Sequence, residues 1–183
     1  MNHNCRAGFS YQFNEDDMTM EMELAGAQPA GTNYYMAVGF SVDGSMSNSY
    51  VTECSSLGAQ SQLSLKLSYN NGDQMRNVRI DGEQAIRDFV IPSAKSSATY
   101  SDGMFYCKWT QNVKPTADVL SASNNEVFSY KNGSSYTILL AYGLADEKGL
   151  KYHAGREVTV RTDFKNAGTV DNSKTILIKT HGK

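Results

Sequence analysis

Hydrophobic and polar positions alternate with a period of two along much of the chain. Methionine and leucine within residues 18–24 alternate with threonine and glutamate, and residues 63–69 repeat the pattern with leucine against serine and lysine. Strict alternation of this kind is typical of a β-strand with one buried face. These two runs therefore predict strands, with turns at residues 14–17 and 70–73.

Two other runs, residues 34–42 and 136–142, are almost continuously apolar. The strand at residues 34–42 is therefore expected to be buried on both faces. Residues 85–91 are consistent with either a strand or one helical turn, and residues 93–103 and 118–126 are predicted to be polar loops. The remaining predicted strands cover residues 8–13, 50–54, 104–110, 158–162 and 175–180.

About nine to eleven short strands, with no convincing amphipathic helix, predict an all-β fold. The expected architecture is an antiparallel β-sandwich of the immunoglobulin-like type. The length of 183 residues suits a single domain over residues 1–183, because no linker or internal repeat interrupts the pattern.

The charge balance argues against nucleic acid as a partner. Lysine and arginine total 17 against 19 acidic residues, for a net charge of −2, and no basic block exists to neutralise phosphates. No phosphate-binding glycine loop, nucleophile elbow or paired-histidine metal motif occurs, so no catalytic residue is predicted. The sequence also contains no run of 18 apolar residues that could span a membrane.

Three cysteines, Cys5, Cys54 and Cys107, match no zinc or iron–sulfur spacing. They permit at most one disulfide, with one thiol left over. The sequon at Asn132 lies in a polar turn and is compatible with secretion. Together with the abundance of serine, asparagine and tyrosine, it favours an extracellular or lumenal location.

Met46 and His153 are the candidate ligands. Each follows one of the two apolar runs, Met46 within turn residues 43–49 and His153 after the segment GLKY. A thioether and an imidazole form a known axial pair for heme iron. The commoner roles are a core methionine and a surface histidine, so the heme hypothesis requires that both side chains reach one pocket.

Several segments, in order, resemble the DOMON family of extracytoplasmic β-sandwich modules. Residues 35–46 read YMAVGFSVDGSM, and the strand that follows ends in a Glu-Cys pair. Residues 105–109 read FYCKW, and LLAYG at 139–143 is followed after a short loop by GLKYH. The set is similar to DOMON modules of the ferric-chelate-reductase type.

The resemblance implies a cofactor and its ligands. The cytochrome domain of fungal cellobiose dehydrogenase, a more distant relative, binds heme b through methionine and histidine, at positions that Met46 and His153 match. The chain has no Cys-x-x-Cys-His motif, so its heme would be of the b type, held by coordination and packing alone. Lys151 and Arg156 flank His153 and are candidates for pairing with heme propionates, although ordinary solvated charge is the simpler interpretation.

The same resemblance implies an extracytoplasmic electron-transfer domain of a transmembrane ferric- or cupric-chelate reductase. Its partners would be a transmembrane diheme cytochrome domain of the same chain and small metal chelates. Residues 176–182, ILIKTHG, resemble the junction to such a cytochrome, so the chain is expected to be part of a longer membrane protein. The alternative is a heme-free carbohydrate- or protein-binding adhesion module, since some DOMON modules carry no heme.

The cysteine pairing cannot be carried over from the fungal relative, because this chain lacks the adjacent cysteine pair found there near Cys107. Our hypothesis is a disulfide from Cys5 to Cys107, which would tie the N-terminal segment to a core strand. Cys54 would then be a small buried hydrophobic residue.

Overall fold

The computed structural model describes residues 5–27, 33–57, 63–73, 76–80, 84–146, 148–158, 164 and 174–179. Eleven strands lie within these ranges: β1 (Cys5–Asn14), β2 (Thr19–Ala27), β3 (Tyr34–Ser41), β4 (Ser49–Ser56), β5 (Leu63–Asn71), β6 (Arg76–Arg79), β7 (Ser96–Ser101), β8 (Met104–Asn112), β9 (Thr137–Asp146), β10 (Gly149–Val158) and β11 (Lys174–Lys179). Two short helices, α1 (Gln84–Val90) and α2 (Ala117–Ala122), and a 3-10 turn at Ser93–Lys95 complete the described elements.

The strands form two antiparallel sheets packed face to face. One sheet has five strands in the order β11-β1-β2-β8-β7, and the other has six in the order β10-β9-β3-β4-β5-β6. The predicted all-β antiparallel sandwich is therefore confirmed. Its core lies between the sheets and is rich in aromatic side chains, with Trp109 and Phe105 fully buried.

Alternation decides which side chains enter this core. On β2, Met20, Met22 and Leu24 are buried, while Glu21 between them is exposed. Strand β3 is buried at every position, as its continuous apolar run predicted. Its even-numbered residues pack into the core between the sheets, and its odd-numbered residues lie on the opposite face of the six-stranded sheet.

A disulfide links Cys54 on β4 to Cys107 on β8, with Cα atoms 6.4 Å apart. The predicted pairing of Cys5 with Cys107 is therefore wrong. Both bonded cysteines occupy inward-facing positions on strands of opposite sheets, so the bridge crosses the core. The side chain of Cys5 lies outside the described part of the chain.

Three sequence-based assignments are corrected or decided by the fold. The predicted loop at 93–103 contains β7, a serine-rich edge strand paired to β8. The predicted loop at 118–126 overlaps α2, whose N-cap Thr116 accepts a hydrogen bond from the Val119 N–H at 3.4 Å. The ambiguous segment 85–91 is helical, because Ile86 and Val90, four residues apart, are both buried on one side of α1.

The strand predicted at 158–162 falls mostly outside the described residues. Within them, Val158 is instead the last residue of β10, which begins at Gly149. Residues 180–182, the end of the segment resembling a domain junction, also lie outside the described part.

Candidate functional site

A cavity of about 780 Å³ lies on the face of the six-stranded sheet that points away from the sandwich core. Its floor consists of alternate residues on the central strands, which the pleat directs away from the core. Several of them are small, which leaves room above the sheet. The floor residues are Tyr35, Ala37 and Gly39 of β3, Val51 of β4, and Leu139 and Ala141 of β9.

The walls form because the two edges of this sheet approach each other. The turn between β9 and β10 meets β6, where the Arg79 guanidinium donates a hydrogen bond to the Asp146 carbonyl at 2.6 Å. The Leu150 N–H donates to the Asn77 side-chain oxygen at 3.5 Å. The sheet therefore curves into a trough, and this is why strands distant in the sheet order line one cavity.

Met46 lies on the wall, in the loop between β3 and β4, and is half-buried. Hydrogen bonds hold this loop at both ends. The Asp43 carboxylate accepts from the Ser41 hydroxyl at 2.9 Å and from the Ser45 N–H at 2.8 Å, and the Ser49 hydroxyl donates to the Met46 carbonyl at 2.7 Å. The turn residues therefore present the thioether from an ordered loop.

His153 lines the same cavity from β10. Two register shifts flank it, between Leu150 and His153 and between His153 and Gly155. Such bulges re-aim side chains and often lie beside functional sites. Opposite His153 lies Gly143, where an added Cβ would come within 3.1 Å of the His153 Cα. The glycine thus permits the close backbone approach that seats His153.

The structure therefore brings both candidate ligands to one cavity, although they lie 107 positions apart in the sequence. Arg156 adjoins them both. One of its guanidinium nitrogens lies 3.9 Å from the sulfur of Met46. Burial, followed by the positive charge of Arg156, lowers the pKa of His153 from its ordinary value. A lowered pKa favours the neutral imidazole, which is the form that ligates metals.

Of the two cations predicted near His153, Lys151 already has a partner. Its ammonium lies 2.5 Å from the Asp146 carboxylate. The hydrogen bond from Lys151 is the main reason why the pKa of Asp146 is lowered. Arg156 forms no ion pair with a carboxylate among the described side chains, so it is the better candidate for an anionic group of a ligand.

The floor is supported by a buried ion pair that sequence reasoning missed. Glu53 on β4 is fully buried, and Arg79 on β6 reaches one of its oxygens through two nitrogens, at 2.6 and 2.9 Å. Tyr35 lies nearby, and burial, with a smaller effect of the Glu53 charge, raises its pKa. The sequence feature that could have indicated this ion pair is the single carboxylate, Glu53, within the predicted strand at 50–54.

Tyr152 is a second residue that the sequence did not single out. Its ring is 86% exposed at the cavity mouth and stacks on the His153 imidazole, with ring centroids 4.4 Å apart and planes inclined by 26°. Sequence analysis had named Tyr152 only as part of the segment GLKYH. Its aromatic residue next to the candidate ligand was the missed signal.

Two features are absent from the described part of the chain. The described residues contain no group of three or more histidine, cysteine, aspartate or glutamate side chains placed to hold a metal ion. Nor do they include a helix of the length and apolarity needed to cross a membrane.

Comparison with known proteins identifies a family. The family model described as the DOMON domain matches residues 3–143, which is more than half of the chain. The match includes Met46 and stops at Gly143, so it does not reach His153. No curated protein matches the chain.

Proposed function

Because the chain belongs to the DOMON family, whose domains can bind heme or act as ligand-binding modules, we propose that its cavity binds heme b for electron transfer. The observation that carries the proposal is that Met46 and His153 line one cavity. They are the side chains that would hold the heme iron. When bound, heme supplies an iron centre that accepts and releases one electron.

The residues present fit a flat, largely apolar group. The volume of about 780 Å³ lies within the range of small-molecule and cofactor sites. At Gly39 an added Cβ would lie 3.5 Å from the Leu139 Cβ and 3.6 Å from a Val51 methyl, so the glycine keeps the floor open. Arg156 offers a cation for a carboxylate at the edge of the ligand.

Met46 and His153 would hold the heme iron through two side chains, and a heme ligated in this way would supply electron transfer rather than oxygen chemistry. The protein's contribution would be rigidity. Met46 is held by an ordered loop, and His153 is held by a bulged strand against Gly143. Ligands fixed by a rigid scaffold need little rearrangement when the charge of the iron changes.

We further propose that the domain acts on the extracytoplasmic side of a membrane, as part of a ferric- or cupric-chelate reductase. The disulfide between Cys54 and Cys107 favours an oxidising compartment. The sequon residue Asn132 is exposed, which is compatible with that location. The proposed partners are a transmembrane diheme cytochrome domain of the same chain and small metal chelates.

The test is a visible spectrum of the purified protein after addition of hemin and reduction. Sharp α and β bands are expected for a low-spin heme. Met46→His should retain a low-spin spectrum but lower the potential, because imidazole replaces thioether. His153→Ala should lose most of the heme or leave it high-spin. Met104→His, at an exposed position on β8 of the other sheet, is the matched control.

Wild-type spectra from both ligand variants would show that the assignment of Met46 and His153 is wrong. Absence of heme bands in the wild-type protein would favour the second candidate function, a heme-free module that binds carbohydrate. The observation favouring it is that the exposed Tyr152 lines the same cavity as the amide residues Asn70, Asn71 and Asn77. In that case Tyr152→Ala should abolish oligosaccharide binding measured by calorimetry.

A further inference from the structure

Positive charge is concentrated around the cavity, although the whole chain carries a net charge of −2. Among the described lining residues, four side chains are cationic and one is a carboxylate, Asp146, which is paired with Lys151. The other three cations, Arg76, Lys148 and Arg156, form no ion pair with a described carboxylate. The described part of the cavity therefore presents uncompensated positive charge.

Two of these cations come from neighbouring segments of the cavity wall. Arg76 begins β6, and Lys148 lies in the turn between β9 and β10. Their segments touch, because a Cβ added at Gly149 would come within 3.2 Å of the Asn77 carbonyl oxygen. Both side chains are exposed, so they belong to the mouth of the cavity rather than to its floor.

We propose that Arg76 and Lys148 form a docking site for small polyanionic metal chelates, such as those carrying several free carboxylates. The identification of the ligand as a metal chelate rests on the proposed electron-transfer function. A concave site lined by one sign of charge focuses the electric field and raises the local concentration of oppositely charged ligands. The arginine also offers a planar pair of donors that fits a carboxylate.

Exposure of the two side chains determines the character of this docking. Exposed lysine and arginine remain hydrated and mobile, so each contact is weak and is screened by salt. Binding should therefore be fast, reversible and selective for charge rather than for detailed shape. Anionic chelates are expected to bind in preference to neutral or cationic ones.

The test uses two redox-inert cobalt complexes of opposite charge, hexacyanocobaltate(III) and hexaamminecobalt(III). Each is titrated into the protein while backbone amide NMR shifts are recorded. The anion should cause saturable shifts in residues 76–78 and 148–151. Its binding should weaken as salt is added and should be tighter than that of the cation. Arg76→Glu and Lys148→Glu should each raise the Kd of the anion about fivefold at low salt, from Coulomb attraction reduced by screening.

The matched control is Lys95→Glu, which makes the same charge change at an exposed position just before edge strand β7 of the five-stranded sheet. It should leave the Kd within about twofold under the same conditions, because Lys95 does not line the cavity and an exposed charge outside it is screened by salt. Equal binding of both cobalt complexes, or an equal loss of affinity in all three variants, would overturn the proposal.

The same samples separate this proposal from the assignment of heme. The cobalt titration requires no heme and can be read on the protein in either form. Heme bands without anion-specific shifts would overturn the docking site and leave the electron-transfer function standing. Anion-specific shifts at Arg76 and Lys148 without heme bands would support an anion site and contradict the electron-transfer function.

Discussion

Replacement of Arg79 by methionine is expected to destabilise the fold strongly, because its guanidinium compensates a charge beneath the cavity. The side chain of Glu53 is 0% exposed and that of Arg79 is 11% exposed. Two guanidinium nitrogens reach the same carboxylate oxygen, at 2.6 and 2.9 Å. The third nitrogen donates to the Asp146 carbonyl at 2.6 Å and so holds the turn between β9 and β10.

Removal of one partner of a buried ion pair costs about 3–5 kcal/mol, since the remaining charge stays in an environment of low polarity. For a chain of about this length, each 1 kcal/mol lowers the Tm by about 2–4 °C. The Tm of Arg79→Met should therefore fall on the order of 10 °C. The double variant with Glu53→Leu should recover much of this loss, because an apolar pair of similar volume can replace a buried ion pair.

The measurement is thermal and urea unfolding followed by circular dichroism, with the Cys54–Cys107 disulfide intact in every sample. The matched control is Lys108→Met, which removes the cation from an ion pair with Glu23 whose side chains are 49% and 40% exposed. Its Tm should hardly change, because exposed ion pairs contribute little. Equally small effects of Arg79→Met and Lys108→Met would refute the claim that burial makes the Glu53 pair important.

Two further predictions concern the disulfide and the candidate histidine. Peptide mapping under non-reducing conditions should recover Cys54 linked to Cys107, and a bridge to Cys5 would contradict this pairing. Replacement of both cysteines by alanine should lower the free energy of unfolding by about 4 kcal/mol, as expected for a loop of this length. In heme-free protein, NMR shifts of the His153 ring protons should report a pKa below 6.5, and Arg156→Gln should raise it. Because folding lowers this pKa, the contribution of His153 to stability is complete above pH 6.5 and is lost as the pH falls through the folded-state pKa. A measured pKa at or above 6.5 would contradict the burial argument.

The local pattern of hydrophobic and polar residues accounts for most of the strands that were predicted from the sequence. The alternation in β2 and the continuous apolar run in β3 identified both strands and the faces they bury. Edge strand β7 was missed because its serine and threonine residues resemble a loop when its pairing to β8 is unknown. Strand β10 was missed because two bulges break its period around His153. In both cases the stabilising hydrogen bonds come from a neighbouring strand rather than from the local sequence.

In the candidate site, too, the sequence selected individual residues, and the fold decided which of them lie together. Residue type and position after an apolar strand were sufficient to select Met46 and His153 as candidate ligands. Only the tertiary structure placed them in one cavity and brought Arg156 beside both. Their roles as ligands remain predictions. The contribution of Tyr152 also depended on the fold, since its exposure and its stacking on His153 follow from the bulged course of β10.

The sequence by itself determined the alternating strands, the face that each strand buries and the chemistry of the candidate ligands, because side-chain direction along a strand follows a local period of two. The tertiary structure decided that Cys54 rather than Cys5 bonds to Cys107, and that Glu53 meets Arg79 beneath the cavity. These contacts depend on strand order, on register and on which strands face each other across the core. Such relations join distant segments, and no local period records them.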